Sequence, residues 1–155
     1  MQEMYLKATA LSNDRNWQVA NQAVGRILVD RQRITEAMLN LAENAVQHTV
    51  AGAIIALGSS LDRGKVLFWV RDTSEGIPAA EQTRIFERFA RVTNTRRRSD
   101  GSGLGLAIVK AIVEAHDGSV RLQSHLGTGS TFILVLPINC SESVLHHVSN
   151  SRRRR

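Results

Sequence analysis

Between Gln32 and Thr49 the apolar residues Ile34, Met38, Leu41 and Ala45 recur at helical spacing, which predicts an α-helix with Asp30 placed to cap it. The same helix carries a second, polar ridge: Asn40, Asn44 and His48 follow one another at steps of four, joined by Gln47. Elsewhere the pattern shortens to the period of a strand. Residues 17–20 and 26–30 predict two short strands with Gly25 as turn material between them. Residues 53–57 and 65–72 predict two more, connected by a hairpin loop over 58–64, and 119–126 and 130–137 a last pair around the tight turn Gly127-Thr-Gly129. Residues 79–90 predict a short helix bearing Ile85, Phe86 and Phe89. A longer helix is expected from about Ser102 to Asp117, with Gly118 as its left-handed cap. Residues 1–16 are polar and weakly patterned, and 12–16 read as a loop.

Three features in this frame carry candidate chemistry. Gly101-Ser-Gly-Leu-Gly-Leu106 runs straight into a helical pattern, as a backbone must if it is to approach a phosphate chain and present a helix N-terminus to it; an ordinary glycine-rich loop reads the same way. Asparagine is a poor helix former, so Asn40 and Asn44 one turn apart stand out. They fit either a solvated flank or a row of carbonyl oxygens offered to a hard cation. Asp72 closes an apolar strand just before a turn containing Gly76 and Pro78. There it is either a turn aspartate or an acceptor for an exocyclic amine such as that of adenine.

Composition narrows the class. With 155 residues, 43% hydrophobic and 22% charged, the chain suits one folded domain, expected over 1–138 and followed by a poorly ordered polar tail over 139–155. The net charge of +6 suggests nucleic acid until the arginines are located. Removing the runs Arg96–Arg98 and Arg152–Arg155 leaves a nearly neutral body without a broad basic face, so no nucleic-acid partner is expected. A single cysteine, Cys140, excludes an internal disulfide framework and a cysteine-built zinc site. No apolar run approaches the roughly 20 residues that span a bilayer, and the first residues lack a signal-peptide pattern; a soluble, cytoplasmic chain without membrane contact is expected.

Taken in order, these segments resemble the catalytic and ATP-binding domain of bacterial sensor histidine kinases, within the superfamily that includes gyrase-type ATPases. Residues 40–48 resemble its N box, 72–78 its first glycine box, 85–91 its F box, 101–106 its second glycine box and 127–132 its third. The resemblance spans Trp17 to Pro137 and implies an α/β two-layer sandwich, a mixed sheet of about five strands with three helices on one face. It also implies ATP and Mg²⁺ as cofactors. Asp72 would take the adenine amino group with Thr131 assisting through water, and Gly76 and Ile77 would line the same pocket. Asn44 would ligate the magnesium ion with Asn40 in support, while Gly101, Gly103, Leu104, Gly105 and Leu106 would wrap the triphosphate. Arg91 would reach the γ-phosphate as the catalytic guanidinium. Residues 92–100 would form a mobile lid whose Arg96–Arg98 read better as a solvated run than as phosphate ligands.

Two positions depart from the family pattern. Ser74 stands where the first glycine of the aspartate motif is usual, so the turn is expected to form without that residue's freedom at positive φ. Gln47 stands where many relatives have a basic residue near the phosphates. His48 fits either a position beside the nucleotide or a buried, satisfied histidine. Asn40 separates branches of the superfamily: hydrolytic members and serine kinases acting on anti-sigma partners carry a glutamate there as general base, which an asparagine cannot replace. None of the five histidines lies in an acceptor context on a long amphipathic helix. The resemblance therefore implies transfer of the γ-phosphoryl of ATP to a histidine on a separate dimerisation and acceptor domain or protein, and indirectly to a response regulator. The chain would be an excised fragment or a free-standing subunit of a split kinase. The alternatives are a nucleotide-sensing or interaction module without catalysis and a serine kinase of the anti-sigma type.

Overall fold

The computed structural model describes residues 1–89 and 103–138. Helix α1 (Gln2–Thr9) leads into strand β1 (Asn16–Val19), helix α2 (Arg31–His48) and strands β2 (Ile54–Asp62) and β3 (Lys65–Asp72). Two 3₁₀ turns, Ala79–Glu81 and Arg84–Phe86, precede helix α3 (Gly105–Glu114) and strands β4 (Ser119–His125) and β5 (Gly129–Pro137). The sheet order is β1-β2-β3-β5-β4, with β1 parallel to β2 and every other pairing antiparallel. The result is the expected α/β layering on a mixed five-stranded sheet.

Strand alternation sends Ile55, Leu57, Val66, Val70, Phe132, Leu134 and Leu136 to one face, where they join Met38, Leu41 and Ala45 of α2 and Val109 and Val113 of α3 in a single core. Each such large side chain contributes about 1.5–3 kcal/mol through burial, so the α2 stripe is held by packing more than by propensity. Asp30 caps α2 as expected, its carboxylate accepting from Arg33 N at 3.1 Å. At the other end the Arg15 guanidinium reaches across to donate to the carbonyls of Val46 (3.1 Å) and Thr49 (2.9 Å) and to Thr49 Oγ1 (2.9 Å). These bonds satisfy carbonyls that a helix C-terminus leaves without partners.

Several expected elements differ. The unpatterned start forms α1, which buries only Met4 and Ala8 and is tied down by Tyr5 Oη donating to the Trp17 carbonyl and by Glu3, whose partners are Lys7 and Arg31. Residues 26–30 alternate but form no strand. Ala20 N and Ser59 N bond with Leu57 O and Asn21 O, after which the chain leaves the sheet edge, and Ile27 and Val29 pack on the core without a ladder. The expected 58–64 loop is mostly strand, because Gly58 is not a breaker: any Cβ there would collide with the Trp69 ring lying across it. The turn shrinks to Arg63-Gly64, both at positive φ. Residues 79–89 make two 3₁₀ turns in place of a helix. Ile85 is buried and Phe86 stacks edge-on against Phe132 at 6.1 Å, whereas Phe89 stands 71% exposed at φ 63°.

Helix α3 starts at Gly105 and closes differently from the expectation. Gly118 N bonds with Val113 O and Asp117 N with Glu114 O, both at 3.0 Å, and Asp117 holds the left-handed position at φ 56°. Gly118 is required for another reason, since a Cβ there would strike the Val135 carbonyl and the Leu136 side chain. The lid over 92–100, Arg91, Gly101, Ser102 and the tail over 139–155 lie outside the described residues.

Candidate functional site

The polar ridge of α2 meets the start of α3. Asn40 Nδ2 donates to Glu36 O at 3.0 Å, which orients its amide so that Oδ1 turns toward Gly105; a Cβ built on Gly105 would lie 3.4 Å from that oxygen. Among the described residues the first turn of α3 has no side-chain cap, and its N-terminus stands beside the asparagine row. Gly103 sits at φ 71° and its carbonyl accepts from Phe89 N at 2.9 Å, which fastens the F-box end to the glycine segment. Asn44, Gln47 and His48 continue the ridge, each half-buried. Burial pushes the His48 imidazole below its ordinary range, against the opposing pull of the Asp72 carboxylate, so the end of α2 and the end of β3 share one electrostatic environment.

Asp72 is 3% exposed at the C-terminal end of β3. One carboxylate oxygen accepts from Ser74 N at 2.9 Å and closes the turn. Ser74 does so without positive φ, and its hydroxyl accepts from Gly76 N at 3.3 Å, so the serine replaces the usual glycine at no backbone cost. Gly76 does need its φ of 79°, and a Cβ on it would run into the His125 carbonyl. Ile77 N donates to Ser124 Oγ at 2.8 Å, while Gln82 Nε2 donates to Ile77 O and Ser124 O at 3.0 and 3.1 Å. Gly127 N bonds with Glu75 O at 2.8 Å. The Asp72 turn and the Gly127–Gly129 hairpin are thereby laced into one rigid wall.

Thr131 is not brought to this wall. It pairs with Arg71 in the β3–β5 register, and successive strand residues point to opposite faces, so Thr131 lies on the side of the sheet away from Asp72. The residue opposite Asp72 is Ser130, 4% exposed. Its hydroxyl lies 2.9 Å from Ser124 Oγ, whose single hydrogen goes to Gly129 O at 3.0 Å; Ser130 is therefore the donor of that pair. Leu104 is the N-cap of α3, and Gly105 and Leu106 stand in its first turn, with Leu106 half-buried against the core.

The family of histidine kinase-, DNA gyrase B- and HSP90-like ATPases matches residues 29–139. The chain belongs to this family. It is 41% identical over 113 residues to the sensor-like histidine kinase SenX3 of Mycobacterium tuberculosis, an alignment covering 72% of this chain and 28% of SenX3. It is 39% identical over 136 residues to the sensor protein DivL of Caulobacter vibrioides, covering 88% of this chain and 17% of DivL. The chain thus spans less than a third of these relatives. Among solved structures, the mycobacterial sensor histidine kinase MprB superposes with a TM-score of 0.78 at 28% identity, covering 88% of this chain and 91% of that one. Full-length ShkA in complex with AMPPNP gives 0.71 at 34% identity, covering 88% of this chain and 28% of ShkA. These likenesses place the chain with the catalytic ATP-binding domains of sensor histidine kinases.

The donor chemistry at the Asn40–Gly105 meeting suits the Mg²⁺ ion that this family implies. Magnesium takes few protein ligands and fills its octahedron with phosphate and water oxygens, so one or two amide oxygens beside a helix N-terminus suffice. Among the described residues no cluster of three or more histidine, cysteine, aspartate or glutamate side chains could hold a metal by itself, and no helix is long and apolar enough to cross a membrane.

Proposed function

We propose that this domain binds Mg-ATP and donates the γ-phosphoryl group to a histidine carried by a separate dimerisation and acceptor domain or protein, which passes it to a response regulator. The observation that carries this reading is the meeting of the Asn40 amide with Gly105, which sets a row of carbonyl oxygens against an α-helix N-terminus able to hold phosphate oxygens. Asp72 accepts the adenine amino group through the carboxylate oxygen left free by Ser74, with Ser130 as the neighbouring acceptor, and Ile77 and the Gly76 turn form the pocket wall. Asn44 would hold Mg²⁺ with Asn40 in support, and the ion would neutralise charge on the phosphate oxygens. Gly101, Gly103 and Gly105 approach the triphosphate, and Arg91 reaches the γ-phosphate.

Transfer forms a bond from the acceptor imidazole nitrogen to the γ-phosphorus and breaks the bond to the β-γ bridging oxygen, which leaves on ADP. No carboxylate stands at position 40 to take a proton. The acceptor must therefore arrive with its own base, which favours a histidine beside an acidic residue over a serine or a water. Gln47 motivates the second reading, a module that binds nucleotide and signals without transfer, because a neutral amide contributes less charge near the phosphates than a basic residue. Labelled ATP incubated with the chain and candidate histidine-bearing proteins separates the two. Label on a partner histidine supports the kinase, whereas Mg-dependent ATP binding without any labelled partner leaves the sensing module. For the site itself, Asn44→Ala and Asp72→Ala are expected to abolish nucleotide binding in calorimetry while keeping the circular dichroism of the parent; unchanged affinity in both overturns the assignment.

A further inference from the structure

Helices α2 and α3 touch at two points about ten residues apart on each. At the site end, Gly105 meets Asn40. At the far end His116, in the closing turn of α3, meets Asp30, the N-cap of α2: Asp30 N donates to His116 Nε2 at 3.1 Å. The other ring nitrogen, Nδ1, lies 2.8 Å from Ile112 O. A backbone N–H can only donate, so Nε2 is bare and Nδ1 carries the hydrogen given to the Ile112 carbonyl. Both bonds are satisfied by one neutral tautomer and by no other form of the ring.

The two helices run antiparallel, with about 15 Å of helix between the two meeting points at a rise of 1.5 Å per residue. Between those points the interface is apolar: Val109, Ile112 and Val113 share one buried cluster with Ile34, Ala37 and Met38. Apolar packing is weakly directional along the helix axes, and a slide of one residue would move Gly105 by about 1.5 Å relative to Asn40. Hydrogen bonds are directional and resist such a slide. We infer that His116, as its Nδ1–H tautomer, is a positioning residue that sets the axial register of α3 on α2 and so the gap between the asparagine row and the phosphate-facing glycines. Only the affinity part of the inference rests on the nucleotide-binding reading.

The test uses the 155-residue chain labelled with ¹⁵N. In the parent protein without nucleotide, the His116 ring is expected to show a protonated Nδ1 and a bare Nε2, with scalar coupling across the hydrogen bond from Asp30 N; a protonated Nε2 overturns the inference. In His116→Phe, which keeps a ring but removes both bonds, the side-chain amide resonances of Asn40 and Asn44 shift and the ATP-analogue affinity drops roughly ten- to a hundredfold, the weight of one hydrogen bond to a charged group. Val135→Ala, on the opposite face of the sheet, serves as the control for a general loss of stability. It is expected to lower the melting temperature while leaving those amide resonances and the affinity as in the parent. Equal amide shifts in both variants, or none in His116→Phe, would show His116 to be merely structural. A parent chain that binds no nucleotide but shows the tautomer and the amide shifts would refute the functional proposal and leave this one standing.

Discussion

At the scale of single residues, His48 makes the site sensitive to acid. Burial lowers its folded-state pKa below the ordinary imidazole value of about 6.5, and Asp72 only partly offsets this. The unfolded chain therefore takes up a proton first as the pH falls. The His48 contribution to stability is fully present above about pH 6.5 and is lost as the pH drops from there toward the folded-state value, where the loss levels off. Urea midpoints measured from about pH 7.5 down to about pH 5 should fall across that window, and His48→Gln should flatten this component; an unchanged slope in the variant would assign it to other groups. Asp72, the asparagine ridge and the glycine run were legible in the sequence because each sits at a motif with fixed spacing. Ser130 was not, because Thr131 shares its chemistry one position away and only the strand register decides which of the two faces Asp72. The tolerance of Ser74 was likewise invisible, since it depends on two local hydrogen bonds, from Ser74 N to Asp72 and from Gly76 N to the Ser74 hydroxyl.

At the scale of elements, the turn between β2 and β3 combines Arg63 at φ 46° with Gly64 at φ 76°, a two-residue hairpin of the type that asparagine-glycine favours. Arginine tolerates the left-handed region poorly, at a cost of roughly 1–2 kcal/mol. Arg63→Asn should recover about 0.5–1 kcal/mol and raise the thermal midpoint by a few degrees in calorimetry, while a lowered midpoint would mean that the exposed Arg63 side chain supports the turn. The long periodic elements α2, β3 and β5 were readable because burial on one face imposes their period. The failures share a different cause. Helix α1 has only two buried positions and depends on bonds from Tyr5 and Glu3 to distant residues, while 26–30 has a strand's alternation but no neighbour to bond to. The F-box segment places Ile85 and Phe86 inward and Phe89 outward, a split that a regular helix would not produce.

For the whole molecule, charge is distributed unevenly along the chain. The described residues hold equal numbers of acidic and basic side chains, and the surplus behind the net +6 comes from the arginines of 91–98 and 152–155. Within the described body acidic and basic side chains balance and several cations are paired, such as Arg33 with Glu36 and Lys110 with Glu114, so the body carries no net positive charge to attract a polyanion. Attraction to DNA should then be a property of the arginine runs and separable from the nucleotide site. Removing Arg152–Arg155 should flatten the slope of log affinity for duplex DNA against log salt by about 3–4, roughly one unit for each phosphate no longer neutralised, and leave ATP-analogue affinity within about twofold of the full chain. A salt slope that survives the deletion unchanged would move polyanion binding onto the body of the domain. A parallel fall in nucleotide affinity would instead bring the terminal arginines into the phosphate site, and only then would the +6 bear on phosphoryl transfer.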